Sequence, residues 1–266
     1  MLKNLRIEWM KIKNYRVFQL FSVLYLLGIL LIIYIFYRVY LSIIEELQRS
    51  MTGTATEGSD FFQVFSTANL PYTVCYWTSL LLYLPGMVII SLFTNEVNFK
   101  THRQNIIDGW KRETFIYTKI ALIFCMSVAI AIMNLLAMYI MANITEASIG
   151  VEAFKVAGFS MIQAFVYLMF ALLLATFFRR SGVAIIVFFI YGLLVEWFLM
   201  WTVHKVIHPS AMYFLPLQAS DSLIPFSRFK DLYKYLPSVP VILTASLAYA
   251  VLYITLTVRK YKYDDL

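Results

Sequence analysis

The sequence is short of cysteine: Cys75 and Cys125 are the only two in 266 residues. Both stand inside apolar runs, so neither a disulfide framework nor a thiolate metal cluster can be built from them. It is also short of charge. Only 14% of the residues are charged while 61% are hydrophobic, and a mean hydropathy of +0.75 excludes an ordinary soluble domain. Signatures of chemistry are missing too. There is no Gly-x4-Gly-Lys-Ser/Thr loop to cradle a nucleotide phosphate, no His-Glu-x2-His for a zinc hydrolase and no Gly-x-Ser-x-Gly elbow for a serine hydrolase. No period of 20 to 50 residues repeats, and no inverted halves of the kind found in ion-coupled carriers are visible. A first apolar run too long for a signal core, with no small-x-small site after it, speaks against a cleavable leader.

What is present is long apolar stretches. Six runs, near 17–37, 73–94, 120–142, 156–178, 183–203 and 238–258, are long enough to cross a hydrocarbon core of about 30 Å at about 1.5 Å per residue. They predict an all-α, polytopic integral membrane protein with six transmembrane helices and one membrane domain over residues 1–266. Six crossings put both termini on one side. Fifteen of the 22 basic residues cluster at the N-terminus, within 95–119, at Arg179-Arg180 and at Arg259, Lys260 and Lys262. The other face holds Arg38, Arg49, Lys155, Lys205, Arg228, Lys230 and Lys234. The excess marks the first face as cytoplasmic, in a multi-pass protein of the cell inner membrane. Because the +7 net charge is scattered over span ends, its partners are anionic lipid headgroups and not nucleic acid.

Residues 2–16 place Leu2, Leu5, Trp9 and Ile12 at helical steps with Lys3, Arg6, Lys11, Lys13 and Arg16 around them, the pattern of a helix lying in the membrane interface. Residues 204–237 mix Pro209, Pro216, Pro225 and Pro237 with Tyr213, Phe214, Leu217, Leu223 and Phe226. That is too apolar for a solvated loop and too interrupted for a span, and predicts short helices packed on the outer mouth. His204 and His208 stand four apart, but with no carboxylate or cysteine nearby in sequence they read as interfacial side chains rather than metal ligands.

One acid falls within a span. Glu196 lies about 20 Å into the fifth run by the helical rise, at a depth shared by Asn134, Gln163, Thr78 and Ser79. Such a carboxylate must face protein or a wet cavity, so this layer is either interhelical hydrogen bonding or the lining of a substrate path. Pro85-Gly86 near the middle of the second run permits either a static bend or a hinge.

The polar interval from Asn95 to Lys119 sits between two apolar runs on the cytoplasmic side. Val97, Phe99, Ile106, Ile107 and Trp110 punctuate its charges at helical spacing, and Asp108-Gly109 supplies a stop. It is either an interfacial loop or a lever for a soluble partner. Its residues Glu96, Phe99, Thr101, Arg103-Gln104, Ile107-Asp108-Gly109 and Arg112 resemble the loop between the second and third membrane helices of ABC transporter permeases of the type 2 exporter class. The resemblance covers about 25 positions, and the number and order of spans agree with it.

That resemblance implies a coupling helix within 95–112, with Phe99, Arg103, Ile107 and Trp110 as the ATPase-coupling contacts. It also implies an N-terminal elbow helix and an external re-entrant element between the fifth and sixth helices. The partners implied are two copies of a separate ATP-binding subunit, which would hold the ATP and Mg, and a second permease subunit, identical or closely related. Because the second and fifth helices line the path in that family, Thr78, Ser79 and Glu196 become substrate-path candidates. The function so implied is ATP-driven outward export of a lipidic or amphiphilic substrate; the chain is expected to have no enzymatic activity, cofactor or metal of its own. An ion-coupled carrier or channel using Glu196, or a non-transporting scaffold, are the alternatives.

Overall fold

The computed structural model describes residues 2–50, 63–101, 112–226 and 233–263. Among these residues every regular element is helical, and six helices are long and apolar enough to cross a membrane: Arg16–Glu46, Leu70–Asn98, Glu113–Ile144, Val151–Phe178, Ser181–Val206 and Val239–Tyr263. We call these the first to sixth spans. The chain is a multi-pass membrane protein, as six apolar runs of that length require.

The fourth span is the axis of the bundle. It packs against the third, second and sixth spans, and 72% of its apolar window is buried, against 17% for the first span and 22% for the fifth. Its sequence explains the position. Ala153, Ala157, Ser160, Ala164, Ala171 and Ala175, all buried, recur at helical steps, and small side chains let neighbouring helices approach where lipid supplies no hydrophobic drive for association.

The second span meets the fifth at two glycines. A methyl group on Gly86 would overlap the ring of Phe188, and one on Gly192 would overlap the hydroxyl of Tyr83. Tyr83 also stacks on Phe189, with ring centroids 4.9 Å apart. Within the second span the α-helix tightens to a 3-10 turn at Leu80–Leu82. Pro85 lies four residues beyond Leu81, whose carbonyl it can neither bond nor approach, so the tightening sits where the missing donor requires it. The fifth span is interrupted by a π-helical turn at Tyr191–Val195.

Element ends depart from the sequence expectation in one place that matters. The helix of the first span does not stop near Tyr37, where the first apolar run ends; it continues to Ser50. Nothing between Tyr37 and Ser50 is glycine or proline, and Val39, Tyr40 and Ile43 keep packing against the core. The acidic pair Glu45-Glu46 marks a solvated helix end, not a helix stop.

Candidate functional site

Two polar centres are built at opposite ends of the bundle. The first joins three helices at the level of the N-terminal helix, Leu2–Lys13. Lys119, in the second turn of the third span, is 4% exposed. Its Nζ donates to Glu8 of the N-terminal helix and, at 2.7 Å, to Glu96 in the last turn of the second span. Lys11 adds a second, more exposed contact to Glu8 at 3.1 Å. Burial of Glu8 opposes ionisation, but the ammonium groups of Lys119 and Lys11 outweigh it and hold the carboxyl below its ordinary value. Beside this cluster the side-chain amide of Asn95 donates to the hydroxyl of Tyr15 at 2.6 Å.

Glu96 and Lys119 stand on either side of residues 99–112, so the cluster clamps both stems of that segment to the N-terminal helix. Phe99 follows the end of the second span, 76% exposed, with Lys100 next to it in the left-handed region at φ 56°. Arg103, Ile107 and Trp110 lie outside the described residues.

No protein-family model and no curated protein sequence matches the chain. What the two centres can do therefore rests on their own geometry.

The second centre binds the 204–237 segment to the bundle. Glu196 is buried at the fifth span, and its Oε1 accepts the backbone amides of Leu217 at 2.6 Å and Gln218 at 2.8 Å. Those amides begin the four-residue helix Gln218–Asp221, whose first N–H groups have no partner of their own. At its other end the Asp221 carboxylate accepts from Gln163 at 2.8 Å and from Tyr167 at 2.9 Å, both on the fourth span. Burial pushes the Asp221 carboxyl up to about 6, against the pull of those two donors. Two carboxylates thus pin one short helix to two spans. Tyr213, Leu217, Leu223 and Ile224 fill the space beneath it, so the described residues 209–226 include two short helical pieces, Pro209–Phe214 and Gln218–Asp221, packed on the bundle.

The layer read from sequence resolves into separate pairs. Asn134 donates to Ser160 at 3.0 Å, whereas Gln163 and Glu196 each reach the 204–237 segment at a different point, Asp221 for one and the amides of Leu217 and Gln218 for the other. Thr78 is buried, with its hydroxyl turned back to the carbonyl of Cys75 at 3.2 Å, while Ser79 bonds the carbonyl of Tyr76 at 2.6 Å. Neither touches Glu196 in a hydrogen bond. His208 caps the turn that follows it through Ser210.

Sequence reading missed Glu8 and Asp221. Each carried a signal in retrospect. Glu8 is the lone acid in a basic N-terminal stretch, and Asp221 is a lone acid between the apolar groups of Leu217 and Leu223-Ile224. On the N-terminal helix the two described members of the expected apolar stripe, Trp9 and Ile12, part company. Ile12 and Glu8 face the bundle, whereas Trp9 is 52% exposed, because the ion cluster fixes which side of the helix faces inward.

Proposed function

We propose that the chain is the membrane-spanning subunit of an ATP-driven exporter of the type 2 class, with both termini cytoplasmic, paired with a second permease subunit and with two copies of a separate ATPase that binds ATP and Mg. One observation carries the reading: a buried ammonium ties both stems of residues 99–112 to the N-terminal helix. The two stems are held together through Lys119. Force applied to the segment by a soluble partner enters the second and third spans together instead of bending a loop.

From there the contacts run outward. The second span meets the fifth through Gly86 with Phe188 and Tyr83 with Gly192, and the fifth holds the 204–237 segment through Glu196. Closure of the ATPase pair on ATP would bias this connected set between two arrangements and push a lipidic or amphiphilic substrate outward. Residues 2–16 serve as the elbow helix in this scheme, and 204–237 as the external element.

The test is co-purification with the candidate ATPase and measurement of substrate-stimulated ATP hydrolysis. Arg103→Ala and Trp110→Ala are expected to leave the six-span domain inserted and dimeric while weakening association by about thirtyfold, the loss typical of removing a buried interface arginine or tryptophan. Wild-type association and coupling in both variants would refute the lever.

A second reading, an ion-coupled carrier or channel, is favoured by the buried carboxylate of Glu196, since an acid within a span is costly unless used. It predicts that dissipating the ion gradient with ATP present stops transport, and that Glu196→Gln abolishes transport with assembly intact.

A further inference from the structure

A groove of about 610 Å³ opens between the N-terminal helix and the first three spans, within the size range of small-molecule sites. Arg6 and Trp9 form its mouth. Apart from Arg6, Ser22, Tyr25 and Cys125, every side chain lining it is apolar. On the third span the lining runs from Leu122 to Met133, which at about 1.5 Å per residue is roughly 16 Å, about half of a 30 Å hydrocarbon core. The groove is thus one leaflet deep. A transmembrane helix from another subunit would need twice that length, whereas an acyl chain entering from the surface fits it.

Charge selects the kind of chain. Glu8 turns inward to Lys119, and Arg6, on the groove side of the same helix, has no ion-pair partner among the described residues. An exposed guanidinium at the mouth of a hydrocarbon slot is a fork for a phosphate oxygen pair.

We propose that this groove holds an acyl chain of an anionic phospholipid from the leaflet on which the N-terminal helix lies, with the headgroup phosphate on Arg6. The bound lipid then wedges the N-terminal helix against the first and third spans, opposite the Glu8–Lys119 clamp. The site does not depend on the transport reading.

Trp9 reports on the groove directly. The full chain carrying Trp9 as its sole tryptophan, with Trp77, Trp110, Trp197 and Trp201 replaced by Phe, is reconstituted in phosphatidylcholine vesicles. These contain increasing fractions of phosphatidylglycerol or phosphatidylcholine brominated on the acyl chain. Half-quenching of Trp9 is expected at about a fivefold lower fraction of the anionic lipid, the preference one basic side chain supplies beside an anionic headgroup. Arg6→Gln should abolish that preference and Arg6→Lys should keep most of it. Ala129→Phe, which fills the groove, should also abolish it, with Ala129→Leu as the milder filling. With Cys125→Ser in the background, continued protection of the buried Cys75 thiol from maleimide marks each variant as folded. Equal half-quenching by the two lipids in the parent protein would overturn the proposal. So would an anionic preference that survives filling, which would place the headgroup on surface cations outside the groove.

Discussion

Replacing Lys119 by methionine keeps the volume of the side chain and removes the charge between Glu8 and Glu96. The consequence can be worked out from Glu8, whose side chain is 1% exposed. Left without Lys119 it cannot remain ionised in place and takes up a proton instead. From an ordinary value of 4.5, protonation at pH 7 costs about 3.4 kcal/mol. Lys11 is kept, but at 38% exposure it recovers only a few tenths of that. A loss of about 3 kcal/mol lowers the melting temperature by about 6–12 °C in a chain of this size. The assay is built into the molecule. With Cys125→Ser in the background, the buried Cys75 becomes the single thiol, and a fluorogenic maleimide reports unfolding in detergent.

The pH dependence gives a second and sharper reading. In the parent protein Glu8 is held below 4.5, so its contribution is complete above that pH and is lost only as pH falls through the depressed value. In Lys119→Met the folded-state value is raised, so the penalty is absent below 4.5 and grows as pH rises, by about 1.4 kcal/mol per pH unit. Acidification from pH 7 to pH 5 should therefore rescue the variant and not the parent. The double variant Glu8→Gln, Lys119→Met should recover most of the loss at pH 7. A Lys119→Met melting temperature within 2 °C of the parent, or a deficit that ignores pH, would refute the argument from charge.

Glu196→Leu removes the acceptor for two buried amides and should cost on the order of 3 kcal/mol, with residues 204–237 becoming open to added protease. Glu196→Gln retains a carbonyl oxygen where Oε1 accepts both amides and should melt within 2 °C of the parent; if it melts as low as the leucine variant, the charge and not the acceptor holds the segment. Tyr25 has a buried hydroxyl with no hydrogen-bond partner among the described residues, so Tyr25→Phe should leave the melting temperature unchanged or raise it, an orphaned hydroxyl costing about 1–3 kcal/mol. A clear fall would mean that the hydroxyl is bonded in the membrane.

The spans were legible because a run of twenty apolar residues has few other uses, and hydropathy needs no knowledge of neighbours. Their ends were less so. The first apolar run stops near Tyr37, but the helix carries on through Glu45 and Glu46, because a helix ends only where its backbone or its packing does. Partners of polar groups were the least legible. Depth along a helix put Asn134, Gln163 and Glu196 in one layer, but depth carries no azimuth, and Asn134 and Gln163 turned to Ser160 and Asp221. Glu8 and Lys119 are 111 residues apart in the chain. Only packing brings them together, and no local pattern announces it.

A π-helical turn adds one residue to a helix, and in the fifth span that residue decides which way the acid points. The side chains buried in this span are Ala184, Phe188, Glu196 and Met200. The eight steps from Phe188 to Glu196 would turn an unbroken α-helix through about 800°, leaving the carboxylate about 80° off the inward line. The wide turn at Tyr191–Val195 takes back about 100°, and all four side chains fall on one face. Deleting a single residue there, Leu193 for instance, should swing the outer half of the helix by about 100° and carry Glu196 toward lipid, where a carboxylate costs about 2.5 to 3.5 kcal/mol. Protease sensitivity of residues 204–237 would reveal the swing, and an unchanged digest would show that the helix had absorbed the deletion elsewhere. In this helix the count of residues sets the direction of its one acid as well as the distance the chain crosses.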